Sequence, residues 1–235
     1  MEEKRNFDLL TLGQVLLRLS PPNNDRLVRG DTFVKQVGGA ELNVAVGVAL
    51  LGLRTGVISK LPSHDMGSFM KGKIRSYGVS DDFFMYDDSP SARVGIYYYE
   101  NGAYPRKPKV IYDRANSSFY SLKIDEIPEK AYTASRCFHT SGITLALSPK
   151  VRETTIEMIK RFKAAGTLVS FDVNFRGNLW TGEEAKECIE QILPYVDIFF
   201  CSEDTARLTF LKTGSAKEMM KSFTKEYPIS IVAST

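Results

Sequence analysis

A chain of 235 residues has room for one α/β domain with an inserted element and excludes a second large domain. Its 31 Lys and Arg against 28 Asp and Glu leave a net charge of +3, which argues against an obligatory nucleic-acid or membrane partner. The charged first residues exclude a secretory signal and the three scattered cysteines form no CxxC pair, so a cytoplasmic protein with no disulfide framework or zinc site is expected.

Residues 7–12 read as a buried first strand. Val15, Leu17 and Leu19 then alternate with Leu16, Arg18 and Ser20, the period-two pattern of a partly exposed second strand. Between 41 and 53, Leu42, Ala45, Val46, Ala49, Leu50 and Leu53 form one helical stripe, while Val44, Val48 and Leu51 make the other side apolar too. That pattern predicts a helix buried on most of its faces, and its apolar run is only half a membrane span. A strand at 55–60, a helix at 65–77 opened by Asp65 and a strand at 82–86 complete a strand-helix-strand unit. Residues 92–100 and 109–114 are β-rich and connected through Asn101-Gly102, which predicts a small sheet standing off the main fold like a lid. The alternation resumes with strands near 137–140, 167–173, 197–201 and 229–233, and helices near 149–165, 182–193, 203–211 and 215–227. Pro149 suits a first helical turn and Gly166 a helix end. Units of this length predict a mostly parallel sheet covered on both faces. The last strand has no helix after it, so the domain is expected to be cut short.

Three constellations could carry chemistry. Gly38-Gly39-Ala40-Glu41-Leu42-Asn43 lies between a β-like segment and the apolar helix; its glycines let backbone approach a ligand, and Asn43 offers a donor and an acceptor to hydroxyl groups. A glycine turn followed by a buried polar group would explain the same residues. In the β-rich insertion, Tyr112 and Arg114 are two apart and share a strand face, with Tyr97 nearby. Here the alternative is an arginine paired with Glu100 or Asp113 above packed tyrosines. Asp172, Asn174 and Arg176 share a face at the carboxyl end of an expected core strand, where open α/β sheets bind ligands, or they cap the next helix. Arg114 and Arg176 favour a ligand that carries a carboxylate, because a guanidinium fork matches one. His139 closes a strand in Cys137-Phe138-His139 and carries little catalytic promise.

The run from Gly38-Gly39-Ala40 through Asn43, Ala45 and Leu51-Gly52 resembles the first signature of the PfkB, or ribokinase-like, sugar kinases. The opening Leu12-Gly13-Gln14-Val15-Leu16 is similar to the family's first strand, although the family more often has Glu where Gln14 stands; Asp65 with Gly67 and Gly78-Val79 also fit. Gly95-Ile96-Tyr97 and Val110 to Arg114 resemble the 2-keto-3-deoxygluconate kinases in particular. The resemblance implies one three-layer α/β/α domain over residues 1–235, with a β-sheet lid from about 14–37 and 91–115 that pairs two copies into a dimer. It implies that Gly38, Gly39, Asn43, Tyr97, Tyr112, Arg114 and Arg176 hold the substrate, with Asp172 and Asn174 lining the cleft. The implied activity is ATP- and Mg²⁺-dependent phosphorylation of a sugar acid, with a fructokinase or ribokinase specificity or a non-catalytic sugar-binding module as alternatives. Two further features depart from the pattern. Ser202 and Thr205 replace the defining residues of the family's magnesium-associated Asn-x-x-Glu, and no Gly-Ala-Gly-Asp-like segment is present, so the catalytic aspartate is expected beyond Thr235 and the chain alone is expected to be inactive.

Overall fold

The computed structural model describes residues 5–234. In chain order the elements are β1 (Phe7–Leu12), β2 (Leu16–Ser20), β3 (Val34–Gly38), α1 (Ala40–Leu50), β4 (Thr55–Pro62), α2 (Asp65–Ser76), β5 (Val79–Asp87), β6 (Gly95–Glu100) and β7 (Lys109–Asp113). There follow α3 (Lys130–Thr133), β8 (Ser135–Ser141), α4 (Gly142–Ala146), α5 (Pro149–Ala164), β9 (Leu168–Asp172), α6 (Gly182–Glu190), β10 (Ile198–Phe200), α7 (Glu203–Leu208), α8 (Ala216–Glu226) and β11 (Ile231–Ala233). Local chemistry sets the ends of the helices. Ser148 caps α5 by accepting from the Val151 N–H with Pro149 in the first turn, and Gly166 leaves it at φ 71°. Thr181 with Glu184 and Ser215 with Glu218 form reciprocal capping boxes on α6 and α8. Gly52, at φ 85°, stops α1 three residues before the expected end.

Seven strands form a parallel sheet in the order β11-β10-β9-β8-β1-β4-β5. From β1 the chain winds outward to β4 and β5 through α1 and α2, then returns to β8 and winds the other way through α5, α6 and α8. Right-handed crossovers in opposite directions put the two sets of helices on opposite faces. The aromatic core lies on the second of these faces, where Phe138 stacks on Phe162 with centroids 4.0 Å apart and Phe199 meets Phe171, Phe210 and Phe223. A smaller cluster joins Leu42 and Ala45 of α1 and Met70 and Ile74 of α2 to Val57 of β4.

Coverage of both faces, expected from the strand-helix repeat, holds for only half of the sheet. The register aligns Ser170, Ile198 and Ile231 in one row on the α1 side, beside Leu168, and among the described residues no helix covers it over β9 to β11. Leu168 and Ile231 are accordingly 51% and 55% exposed. The expectation that α1 is buried on most faces also fails, since Leu50 and Leu51 are each 80% exposed and Val44 is exposed as well. Among the described residues no helix is long and apolar enough to cross a membrane.

A second sheet, in the order β3-β2-β6-β7, is mixed, with β2 and β6 parallel and both outer pairs antiparallel. Leu17, Val37 and Ile96 form one row and pack toward α1 and α2. Arg18, Tyr97 and Tyr112 form the next row and point to the opposite side. Leu16, expected on the exposed side of its strand, is buried together with Leu17.

Candidate functional site

The direction of winding reverses between β1 and β8, and ligands of open α/β sheets bind beyond the strand ends at such a switch point. There the carboxyl ends of the main strands and the inner face of the second sheet enclose a cleft of about 450 Å³. Its floor is the β3-to-α1 turn. A Cβ on Gly38 would lie 2.5 Å from the Tyr97 hydroxyl oxygen, and one on Gly39 would lie 2.8 Å from the Gln14 carbonyl oxygen at a backbone φ of 150°. Gly39, which lines the cleft, therefore excludes a side chain for both space and conformation, whereas Gly38 lies outside the lining and a side chain there would have to displace Tyr97. Asn43, in the first turn of α1, is exposed on the cleft wall.

The opposite wall comes from the second sheet. Tyr97 and Tyr112 are direct cross-strand partners with ring centroids 6.0 Å apart, and both line the cleft. Burial pushes the Tyr97 phenol above its ordinary value, so it stays protonated and can donate. Arg114 follows β7 directly; its Nε donates to Gln14 Oε1 at 2.7 Å, and burial lowers its pKa against the opposing charge of Glu41 and the nearby Tyr120 and Tyr112. The alternative pairings are taken elsewhere. Glu100 pairs with Arg106, and Asp113 with Arg93 at 2.8 Å.

From the main sheet come Asn174 and Arg176, which line the cleft, and Asp172, which does not. The strand periodicity that would put all three on one face stops at Asp172, where β9 ends. Asn174 adopts a left-handed φ of 39°, held by its N–H donating to Asp172 Oδ1 at 3.0 Å. Burial raises the Asp172 pKa, partly offset by that N–H and by Arg176. Arg176 is exposed, with Nη1 donating to the Phe175 carbonyl at 2.8 Å, and neither it nor Arg114 makes an ion pair among the described residues.

Several lining residues escaped the sequence reading. Arg18 stacks on Tyr99 at 4.2 Å, and Gln14 and Glu41 border the cleft while remaining almost fully buried. Glu41 is 2% exposed, and its Oε1 accepts from Ser141 Oγ at 2.5 Å and Thr144 Oγ1 at 2.8 Å. Burial raises its pKa against those hydrogen bonds. A single acid in the first turn of a helix whose only other polar side chain is Asn43 was the available signal.

The positions that stand in for the family's magnesium-associated residues are engaged within the protein. Ser202 caps α7, accepting from the Thr205 N–H and donating to Thr205 Oγ1 at 2.8 Å, while Glu203 pairs with Arg207. Among the described residues no three His, Cys, Asp or Glu side chains could hold a metal ion. His139 is buried against Ser170 Oγ at 2.9 Å, away from the cleft lining.

Residues 6–233 match the family model described as pfkB family carbohydrate kinase. The 2-dehydro-3-deoxygalactonokinase of Haloferax volcanii is 35% identical over 97% of this chain and 71% of its own length. The crystal structure of 2-dehydro-3-deoxygluconokinase from Thermotoga maritima superposes with a TM-score of 0.89 at 32% identity, covering 96% of this chain and 72% of that one. An uncharacterised sugar kinase from Pyrococcus horikoshii, solved in complex with ATP, gives a TM-score of 0.75 at 25% identity, over 86% of this chain and 66% of that one. Fold and sequence agree, and the chain belongs to the pfkB family of carbohydrate kinases.

Proposed function

We propose that this cleft binds a 2-keto-3-deoxy sugar acid, 2-keto-3-deoxygluconate foremost, as the acceptor of a phosphoryl group from ATP. The observation that carries the reading is the pair of guanidinium groups, Arg114 and Arg176, that line one cleft without a carboxylate partner. For the half-buried Arg114 an unpaired charge is costly, and a bound carboxylate supplies the missing partner with bidentate geometry, to which the exposed Arg176 can add a second contact. Tyr97, Asn43 and Asn174 supply donors and acceptors for the hydroxyl groups, and the absence of side chains at Gly38 and Gly39 lets Tyr97 and the Gln14 backbone pack against the turn beneath them. The names of the relatives from Haloferax and Thermotoga, both kinases of 2-dehydro-3-deoxy sugar acids, support the same substrate class.

Phosphoryl transfer also needs a base at the attacking hydroxyl and fixed positive charge at the phosphates. Glu41 is the one acid lining the cleft among the described residues, and it is engaged by Ser141 and Thr144. We therefore assign this chain the binding and orientation of the sugar acid, within one ribokinase-like domain acting in the cytoplasm. ATP and Mg²⁺ would accompany the transfer, and the chain alone would bind without turnover. The second sheet would act as the lid, and the exposed Phe33, Val34, Val110 and Ile111 on it suit pairing with a second copy.

Calorimetric titration tests the assignment. Wild type should bind 2-keto-3-deoxygluconate more tightly than D-fructose, and Arg176→Ala should weaken the acid by roughly 10- to 100-fold, as for a lost charge-assisted hydrogen bond, with little effect on fructose. Equal losses for both ligands would remove the carboxylate from the argument and leave a neutral-sugar site.

A further inference from the structure

Gln14 is an uncharged side chain, 3% exposed, standing directly behind Arg114 at the β1-to-β2 junction. Both ends of its amide are engaged. Oε1 accepts from Arg114 Nε at 2.7 Å, while Nε2 donates to the Arg114 carbonyl at 3.1 Å and to Ser117 Oγ at 2.6 Å. The orientation of the amide is fixed by chemistry, since Arg114 Nε can only donate and the Arg114 carbonyl can only accept. One side chain thus grips the same arginine by its guanidinium and by its backbone. The slot is tight, because a Cβ on Gly95 would lie 2.8 Å from Gln14 Nε2.

The grip has a directional consequence. A guanidinium held at Nε cannot swing about its last torsions, so its two terminal nitrogens keep one heading. Neither of those nitrogens hydrogen-bonds to another described residue, and Arg114 lines the cleft. The bond also leaves the charge intact. A carboxylate at the same place would accept from Nε but would cancel the positive charge and set its second oxygen against the Arg114 carbonyl. The nearest candidate counter-charge, Glu41, is bound instead to Ser141 and Thr144.

We infer that Gln14 is a positioning residue that aims the terminal nitrogens of Arg114 at the carboxylate of the sugar acid and so sets the preference for acid over neutral ligands. This rests on the sugar-acid reading above. Gln14 borders the cleft but is 3% exposed with both ends of its amide engaged by Arg114 and Ser117, so its contribution to binding is assigned to its hold on that arginine.

The test is a double-mutant cycle on the full chain. Dissociation constants for 2-keto-3-deoxygluconate and for its neutral C1 methyl amide are measured by calorimetry in wild type, Gln14→Ala, Arg114→Ala and the double variant. Gln14→Ala should weaken acid binding about tenfold, on the order of one hydrogen bond to a charged group, and amide binding by less than about twofold. In the Arg114→Ala background the same substitution should change neither constant. A loss of equal size for both ligands, or one that persists without Arg114, overturns the inference. If wild type shows no preference for the acid, the substrate reading fails separately. The positioning role is then decided by the Arg114 Nε–H resonance, slow to exchange with water in wild type and fast in Gln14→Ala; slow exchange retained in the variant overturns it.

Discussion

Burial alone pushes the His139 imidazole down to about 4, with Ser170 Oγ 2.9 Å from its Nδ1. The folded protein therefore holds this histidine neutral where the unfolded chain would protonate it. Its contribution to stability is complete above the unfolded value of about 6.5 and is lost as pH falls from there toward 4, amounting to roughly 3 kcal/mol. Glu41 acts in the opposite sense, because its raised pKa contributes stability at low pH that is lost as pH rises through its folded value. Urea unfolding of wild type and His139→Gln at pH 7.5, 5.5 and 4.5 separates the two. The stability difference between the proteins should shrink or reverse toward pH 4.5, and a difference independent of pH would show that His139 is protonated in the fold. The candidate residues divide in a similar physical way. The placement of Tyr112 and Arg114 beside Tyr97 at the cleft was legible from strand spacing, whereas Arg176 reaches the cleft although the strand expected to carry it stops at Asp172. Gln14 and Glu41 were not legible, since an amide or a lone acid gains its meaning from partners such as Ser117, Ser141 and Thr144, which are about 100 residues away in the chain.

The turn from β3 into α1 shows how backbone conformation supports the cleft. Gly39 combines φ 150° with a Cβ position 2.8 Å from the Gln14 carbonyl, so Gly39→Ala meets both strain and a clash with backbone that cannot move cheaply. A destabilisation of about 2 kcal/mol, or a fall in Tm of roughly 5 °C, is expected, together with weaker sugar-acid binding as Gln14 shifts. Gly47 in the exposed middle of α1 is the control, since a Cβ there meets nothing within 4 Å. Gly47→Ala should stabilise by about 0.5–1 kcal/mol through helix propensity and leave binding unchanged. If both alanines destabilise alike, the special geometry assigned to Gly39 is wrong. The same region marks the limit of pattern reading. Apolar residues around α1 predict burial, but pattern cannot say whether a partner is present, and Leu50 and Leu51 lie in solvent. At β9 the period-two pattern runs on to Arg176 while the hydrogen-bonded strand stops at Asp172, because Asn174 turns left-handed on a bond from its own N–H to Asp172.

Parallel order, switch point and the separate small sheet follow from the strand-helix alternation and its one β-rich interruption, and right-handed crossovers leave little choice. What alternation cannot supply is the covering of each face. In this molecule the α1 side of β9 to β11 presents Leu168, Ile198, Phe200 and Ile231 in adjoining rows, and β11 and β5 are the edge strands. An uncovered apolar sheet face beside an unpaired edge favours association. The chain should bind 8-anilinonaphthalene-1-sulfonate in native buffer, and sedimentation velocity should show association that increases with protein concentration. Leu168→Lys with Ile231→Lys places two like charges on that face without touching the cleft, so it should lower both signals and leave sugar-acid affinity unchanged. A dye-silent, monomeric wild type would mean that this face is closed in solution. Association that survives the two lysines would instead move the contact to the small sheet, where Val34→Lys with Ile111→Lys should abolish it.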